Sequence, residues 1–321
     1  MASSSSVHPD PAASIGAPSP PEGVADEPPR SLRCLAALSL VVLAATACGR
    51  SDRGGSPADG AAQAGANSGK SAAELLPAKN RQSGVLRVAT SVGYPPMEMY
   101  KDGTTELTGV DPDLAAALAG KLGLRLELSN SSFDGLIPGL QAGRYDLVMS
   151  SMTDSAQRRQ AVDFVDYFRT GGVIMTKKGN PEGIRNLEDL CGRKVVLAKG
   201  SSNLEIGEQQ NAKCATRMTI SQSEDAPTGL LQLDSERAVA TIVDYPVAQM
   251  FVRNSGSYEV LPEQYGTAPW GIAVAKKDSG LREAVRKALQ ELIDSGEYRA
   301  VLDTYQVGGS AVERATVNAA Q

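Results

Sequence analysis

Three hydroxyl side chains and an arginine follow a short apolar strand pattern in the middle of the chain. Ser150, Ser151 and Thr153 come directly after the apolar run 145–149, and Arg158 lies five residues beyond Thr153. In an open α/β sheet, ligands bind where the strands end. A guanidinium offers a planar fork of donors that matches a carboxylate. The group predicts a site for a small-molecule carboxylate; the alternative is that the arginine lies on a solvated helix face.

Strand-type and helix-type patterns alternate from residue 85 to residue 295, which predicts an α/β protein with a largely parallel sheet. The helix predicted over 111–123 has Asp111 as its cap, a proline at its first position and one stripe of leucines. Two strand-like segments lie within 162–178, and a second α/β unit follows from about residue 186. Strands are also predicted over 258–261 and 270–276. An amphipathic helix over about 280–295 closes the pattern.

The N-terminal region has the pattern of an export signal. Residues 1–30 are rich in Ser, Pro, Ala and Gly and are predicted to be disordered. Arg30 and Arg33 then precede an apolar run over 34–47, which is shorter than the roughly 20 residues that a membrane span needs. Residues 1–47 are therefore interpreted as a disordered leader plus a signal peptide.

The apolar run ends in LAATAC, residues 43–48, which resembles the bacterial lipoprotein signal and implies lipidation of Cys48. It departs from that signal at Ala45, where leucine is usual. The alternative is ordinary cleavage after the A-x-A site 45–47, which would release a secreted protein. Residues 48–83 have the composition of a flexible tether.

The composition narrows the classes of function. The chain of 321 residues is 41% hydrophobic and 21% charged, with a net charge of −5 and 4% aromatic residues, so nucleic-acid binding is not expected. Beyond the signal, the cysteines are Cys191 and Cys214, and in an oxidising compartment this pair predicts a disulfide. A metal pair is the minor alternative, because no further cysteine or histidine completes a ligand set. No metal and no cofactor are predicted.

Several segments occur in an order that resembles family 3 of the solute-binding proteins of ABC transporters, which bind polar amino acids. The segments are VATSVGYPPMEM, GVDPDLAAALAGKLG, FDGLIPGLQAGRYDLVMSSMT, GRKVVLAKGSSN, IVDYPVA and WGIAVAKKDSGLREAVRKALQELIDSGEY. The resemblance covers about residues 84–307. It implies a two-lobed periplasmic-binding-protein clamp (type II), with a mixed, mostly parallel sheet flanked by helices in each lobe. Lobe 1 would comprise 84–171 and 268–307 and lobe 2 would comprise 172–267, followed by a disordered tail, 308–321.

The resemblance also implies a set of ligand-binding residues. Those predicted to contact the ligand's side chain are Tyr94 and Phe133. Those predicted to hold its α-carboxylate are Ser150, Ser151, Thr153 and Arg158 in lobe 1, and Gly200, Ser201 and Ser202, with Asn203 beside them, in lobe 2. Asp244 is predicted to bind the α-ammonium, and its alternative role is to cap the following helix. Charge-assisted bonds at both ends would replace the water that a zwitterion loses in a closed cleft.

One departure bears on specificity. Relatives that bind cationic amino acids carry an acid three residues before the tyrosine of the YPP segment, whereas this chain has Ser91. A neutral polar or acidic ligand is therefore expected. Lys199 is a candidate partner for an acidic or amide side chain, and the alternative is that it faces water.

The predicted function is non-catalytic: a monomeric lipoprotein on the outer face of the cytoplasmic membrane captures a polar amino acid and delivers it to an ABC permease. An extracellular sensor would share every binding residue. A dehydratase-like enzyme on the same fold is the third class. It would need an acid–base pair such as one that includes Glu98, since the chain beyond the signal has no histidine.

Overall fold

The computed structural model describes residues 69–320, and the folded part begins earlier than the sequence predicts. Two short helices, α1 (Ala72–Leu75) and α2 (Ala78–Ser83), precede the first strand. Ala72 and Leu76 are buried in the main hydrophobic core. The predicted tether over 48–83 is therefore wrong for its last residues, because two apolar side chains anchor them. The leader, the signal peptide and Cys48 lie outside the described residues.

The remaining elements alternate between strands and helices. The strands are β1 (Val85–Thr90), β2 (Met99–Tyr100), β3 (Leu107–Thr108), β4 (Arg125–Asn130), β5 (Leu147–Val148), β6 (Val162–Lys177), β7 (Lys194–Ala198), β8 (Thr219–Ser223), β9 (Ala240–Asp244), β10 (Tyr258–Ala275) and β11 (Ala311–Val317). The helices are α3 (Val110–Leu122), α4 (Leu136–Gln141), α5 (Ser202–Lys213), α6 (Ala226–Asp234), α7 (Tyr245–Ser255), α8 (Ser279–Ser295) and α9 (Glu297–Thr304).

One mixed sheet runs through the described residues. Its order is β4-β1-β5-β10-β6-β9-β7-β8, and β11 pairs with β6 beside this path. The outer strands are parallel within each half: β4, β1 and β5 at one end, and β9, β7 and β8 at the other. Helices flank these strands, as βαβ units require. This α/β architecture confirms the predicted fold class.

The long antiparallel strands β6 and β10 join the two halves of the sheet. Residues 162–170 of β6 pair with 268–275 of β10, and residues further along β6 pair with the start of β10 and with β9. The sequence predicted each of these strands as two separate pieces. They are continuous, with register shifts in β10 between Val260 and Gln264 and between Tyr265 and Ala268. Such irregularities bend a strand without ending it.

The C-terminal tail corrects a second prediction. Residues 308–321 were predicted to be disordered, but β11 pairs antiparallel with β6, with Ala311 opposite Phe168 and Val317 opposite Val165. Ala315 is buried against the main core. The alternation of small apolar and polar residues over 311–317 is sufficient for a strand when a free edge of β6 is available.

The two cysteines form the predicted disulfide. Cys191 and Cys214 are bonded, with their Cα atoms 5.4 Å apart, and each lies at the end of a helical segment in the second half. Within residues 69–320, no helix is long and apolar enough to cross a membrane.

Candidate ligand-binding site

A cavity of about 50 Å³ lies where the two halves of the sheet face each other. Nine of the predicted site residues line it: Tyr94, Phe133, Ser150, Ser151, Thr153, Arg158, Ser201, Ser202 and Asp244. The other two lie directly behind it, since the carbonyl of Gly200 accepts a bond from Arg158 and Asn203 donates to Asp244. The structure therefore brings the predicted residues together, while their contacts with a ligand remain predictions.

Arg158 lies at the mouth of a tight turn that follows β5. Its Nη1 donates to the carbonyl of Thr153 at 2.9 Å, and its Nη2 donates across the cavity to the carbonyl of Gly200 at 3.0 Å. The guanidinium carbon also lies 5.4 Å from the ring centre of Phe133. No salt bridge involves Arg158 among the described residues. The guanidinium is held in place by carbonyls and has no directly bonded carboxylate, so it could bind one from an anion.

The expected helix after this strand is only a 3₁₀ turn, Arg158–Gln160. The turn begins at Asp154, whose backbone N–H bonds to Pro269 of β10. A short turn keeps Arg158 close to Thr153, because a helix would carry it away from the sheet edge.

The opposite wall is the N-terminus of α5. Ser201 caps this 12-residue helix, with its hydroxyl accepting a bond from the N–H of Leu204 at 3.1 Å. The hydroxyls of Thr153 and Ser202 lie 3.0 Å apart across the cavity. Free N–H groups at a helix start favour an anion. An anionic group here would therefore be bound from both halves.

Asp244 supplies the negative charge of the site. It precedes α7 but makes no capping bond to that helix, so the structure does not support its alternative role as a cap. Its carboxylate accepts bonds from the hydroxyl of Tyr94 and, at 3.1 Å, from Nδ2 of Asn203. Burial raises the pKa of Asp244 to about 6, and these two bonds and the charge of Arg158 oppose the rise.

The amide of Asn203 reaches Asp244 because a glycine leaves room for it. A Cβ on Gly172 of β6 would lie 2.1 Å from Oδ1 of Asn203. Gly172 pairs directly with Asp244 across the two strands. The site therefore depends on a close backbone approach at the junction of the two halves.

Tyr94 spans the two halves of the site. It is half-buried, its ring centre lies 6.5 Å from that of Trp270, and its hydroxyl bonds to Asp244. Burial, with the nearby charge of Asp244, raises the pKa of Tyr94 well above its ordinary value, so it remains a neutral donor.

A buried carboxylate pair beneath the serines was not predicted as part of the site. Glu98 accepts bonds from the hydroxyls of Ser150 (3.3 Å) and Ser151 (3.1 Å). Asp111, predicted to be a helix cap, lies inside α3, where it accepts bonds from the N–H of Ser151 (2.7 Å) and the hydroxyl of Tyr167 (2.6 Å). Burial raises the pKa of both carboxyls, and the charge of Asp111 raises that of Glu98 further.

This pair fixes the direction of the serine hydroxyls, since each donates its proton to Glu98. Ser150 and Ser151 therefore have their carbonyls and lone pairs, rather than their hydroxyl protons, available to a ligand. The Pro-Pro-Met-Glu order of the YPP segment was the available signal for Glu98. Nothing in the sequence pattern indicated that Asp111 turns inward rather than capping its helix.

The far end of the cavity carries several charged groups. Lys199, an expected partner for an acidic ligand, is paired instead with Asp134 at 2.8 Å across the two halves. The lining there includes Ser91, Glu224 and Asp225. This end of the cavity has an excess of negative charge, since its one lysine is already paired.

Together, a two-part α/β fold, a cavity between the parts, and opposite charges on the two walls define a solute-binding protein. Residues 86–308 match the sequence profile of the bacterial extracellular solute-binding proteins, family 3, and the chain belongs to that family. It is 30% identical over 250 residues to the arginine-binding protein ArgT of Corynebacterium glutamicum, a match that covers 76% of this chain and 81% of ArgT.

Solved structures of similar proteins agree with this assignment. An ancestral arginine-binding protein bound to arginine superposes with a TM-score of 0.65 at 35% identity, covering 70% of this chain and 98% of that one. The ancestral amino acid-binding protein AncCDT-1, a precursor of cyclohexadienyl dehydratase, superposes with a TM-score of 0.64 at 30% identity, covering 71% and 97%. The chain therefore belongs to a family of extracellular solute-binding proteins that includes amino-acid-binding proteins of ABC transporters.

Proposed function

We propose that this protein captures a free amino acid between its two lobes and delivers it to an ABC permease. The observation that carries the proposal is that Arg158 and Asp244 line one cavity from opposite halves of the sheet. A zwitterion places its carboxylate and ammonium a few ångströms apart and would bridge these two charges. Each charged group would replace part of the ligand's lost hydration.

The proposed lobes meet where the strand pairing changes. The boundary at 171/172 falls where β6 leaves its pairing with residues 268–275 and begins to pair with β9. The boundary at 267/268 falls at a register shift of β10. Contacts such as Tyr94 with Asp244 and Lys199 with Asp134 join the lobes across the cavity. These features support a clamp in which ligand contacts on both lobes favour the closed form.

The charges at the far end of the cavity bear on the ligand's side chain. Because Lys199 is paired with Asp134, the support for an acidic ligand is removed. Glu224 and Asp225 favour a neutral or cationic side chain, and the relative ArgT is named for arginine. Ser91, in the position where cationic-ligand relatives carry an acid, weighs toward the neutral side. We therefore propose L-arginine and L-glutamine as the two ligands to compare first.

The proposed place of action is the outer face of the cytoplasmic membrane, as a monomer. The signal-type N-terminus and Cys48 support a lipid anchor, and the residues up to the first anchored helix at Ala72 would form the tether.

A thermal-shift screen of the mature chain with Cys48→Ser, which prevents lipidation, tests the binding. At a hundred times its dissociation constant, a ligand adds roughly 2.7 kcal/mol to the free energy of unfolding. We expect L-arginine or L-glutamine to raise the melting temperature and L-glutamate to leave it unchanged. If none of the twenty amino acids changes the melting temperature, the amino-acid assignment is wrong.

A second candidate function is a dehydratase-like activity, which Glu98 favours because it lines the cavity with a raised pKa. A carboxyl with a raised pKa is better suited to general-acid chemistry than an ordinary one. Mass spectrometry of the small molecule recovered after prolonged incubation separates the two functions. A binding protein returns it unchanged, whereas an enzyme returns a product.

A further inference from the structure

We infer that the C-terminal segment 311–320 is a positioning element of the ligand site, which holds the turn that carries Arg158 in place from behind. The turn comprises residues 154–160 and is called the arginine turn below. The importance of this segment for ligand affinity rests on the proposed function, whereas its effect on the turn does not.

The segment contacts the arginine turn on both sides of Arg158. The backbone N–H of Ala320 donates to Oδ2 of Asp154 at 3.1 Å, at the start of the turn. Nη1 of Arg159, near its end, donates to the carbonyl of Asn318 at 2.9 Å. Arg159 and Asp154 also form an ion pair at 3.3 Å. The two residues that fix the ends of the turn are therefore both bonded to the C-terminal segment.

Asn318 locks the segment to β6 at this point. Its backbone N–H donates to the carbonyl of Phe164 at 3.1 Å, and its Oδ1 accepts from the N–H of Phe164 at 2.8 Å. Nδ2 of Asn318 donates to Asp163 at 3.1 Å. Asn318 has a φ of 53°, a left-handed conformation that asparagine tolerates better than most residues. The conformation of Asn318 directs the N–H groups of Ala319 and Ala320 toward two buried aspartates.

Those two aspartates, Asp154 and Asp166, explain why the segment matters. Each is only 1% exposed, and each has one oxygen without a hydrogen-bond partner among the described residues. The other oxygen of Asp166 accepts from the N–H of Ala319 at 3.0 Å and the hydroxyl of Thr316 at 3.2 Å. Without the segment, two neighbouring buried carboxylates would lose most of their donors, and their repulsion would push the arginine turn away from β6.

The charges around this cluster set the expected pH dependence. The charged groups near Asp154 and Asp166 are Arg159 and Asp163. Asp163 is paired with Lys276 and Arg282. Burial raises the pKa of Asp166 to about 6 and also raises that of Asp154. Weakening the segment should therefore matter most above pH 7, where the Asp166 carboxyl is ionised, and least near pH 5.5, where it takes up a proton.

The test uses the mature chain with Cys48→Ser as the parent and two further variants. Asn318→Gly combined with Ala320→Pro removes the side-chain lock and the N–H that Asp154 uses, while glycine preserves the backbone conformation at 318. The matched control is Gln290→Ala, because Oε1 of Gln290 accepts the N–H of Ala315 at 3.1 Å, a bond of the same segment that does not reach the arginine turn.

Hydrogen exchange of the ligand-free proteins at pH 7.5 is the first readout. We expect amides 154–161 to exchange about ten-fold faster in the double variant, with strands β7 and β9 unchanged and the control equal to the parent. Exchange that stays unchanged at 154–161, or that rises equally throughout the chain, would overturn the inference.

Calorimetric titration with L-arginine is the second readout. We expect the dissociation constant of the double variant to rise about ten-fold relative to the parent at pH 7.5, and by clearly less at pH 5.5. The control should stay within about two-fold of the parent. An equal dissociation constant in the parent and the double variant would refute the positioning role. If the parent itself does not bind L-arginine, that choice of ligand fails, and the exchange experiment alone decides the inference.

Discussion

At the scale of single residues, the site depends on one arginine whose charge the protein itself does not neutralise. Arg158 is bonded to two carbonyls, so a ligand carboxylate would be the first carboxylate to which it is directly bonded. We expect Arg158→Ala to weaken amino-acid binding by about 2 to 5 kcal/mol, which is about thirty-fold to several thousand-fold. The measurement is calorimetric titration with the amino acid that gives the largest thermal shift. Arg253→Ala, an exposed arginine on α7, is the matched control and should bind normally. Near-parental affinity of Arg158→Ala would contradict the carboxylate assignment.

The pKa of Asp244 predicts how affinity depends on pH. Burial raises it to about 6 in the empty protein, whereas an ammonium ligand requires the ionised form. Because a proton competes with the ligand, affinity should be constant above about pH 7 and should fall by up to about ten-fold per pH unit below pH 6. The stability of the empty protein depends on pH in the opposite direction. The folded state binds this proton more tightly than the unfolded chain does, so Asp244 favours folding as the pH falls from 6 toward 4.

Titrations between pH 5 and pH 8 measure this dependence. Asp111→Asn is the control, because Asp111 has a similar pKa of about 6 and lies beneath the same site. That variant should keep the fall in affinity, whereas a flat profile would assign the effect to Asp111 instead.

The sequence predicted the charged residues that line the site, but it did not predict the buried carboxylates that orient the site's serine side chains. Arg158 and Asp244 were recognisable because they follow strand ends within known motifs. Asp111 was assigned to the wrong role, because a residue at a helix start satisfies the capping pattern whether its carboxylate faces the helix or the core. Only the packing of Tyr167 and Ser151 around α3 decides between these alternatives.

At the scale of elements, the disulfide ties the end of α5 to the segment before β7. Its cysteines are 23 residues apart, and closing such a loop stabilises the folded state by about 3 kcal/mol in the chain-entropy model. We expect the free energy of unfolding of the double variant Cys191→Ala/Cys214→Ala to be lower by that amount, so the variant should unfold at a lower urea concentration. The comparison protein retains both cysteines, and both proteins carry Cys48→Ser. Identical urea midpoints would show that the bridge does not contribute to stability.

Element positions were well predicted where periodicity was strong, as in α3 and α8. The long strands β6 and β10 were each predicted as two pieces, because glycine, proline and polar residues interrupt their apolar runs near 171 and 266. Strand β11 was missed because its weak pattern forms a strand only by pairing with an edge that exists after folding. Both errors concern long-range pairing, which local propensity does not encode.

At the scale of the whole molecule, the two halves are joined by β-structure rather than by a loose linker. Strands β6 and β10 pair along almost their full length, and β10 is irregular only at its register shifts, the third of which lies between Trp270 and Gly271. Most of the cleft residues lie at strand ends, at helix starts or on short turns within one half. Opening and closing would therefore change the distance between the walls without rearranging either wall.

The paired strands β6 and β10, which connect the two halves, would act as an elastic hinge. Strands β6 and β10 are hydrogen-bonded to each other, so they can bend together but resist sliding past each other. In the proposed closing motion, the same groups would therefore face each other each time the cleft closes. Thr153 would return to Ser202 and Tyr94 to Asp244 without a search among alternative arrangements. Little conformational entropy is lost on closing, so most of the energy of each ligand contact is retained as affinity. The substitutions that would damage such a device most are those that stiffen or fill the line of bending. Gly171, where a Cβ would lie 2.7 Å from Oγ1 of Thr267, and its neighbour Gly172 are two such positions.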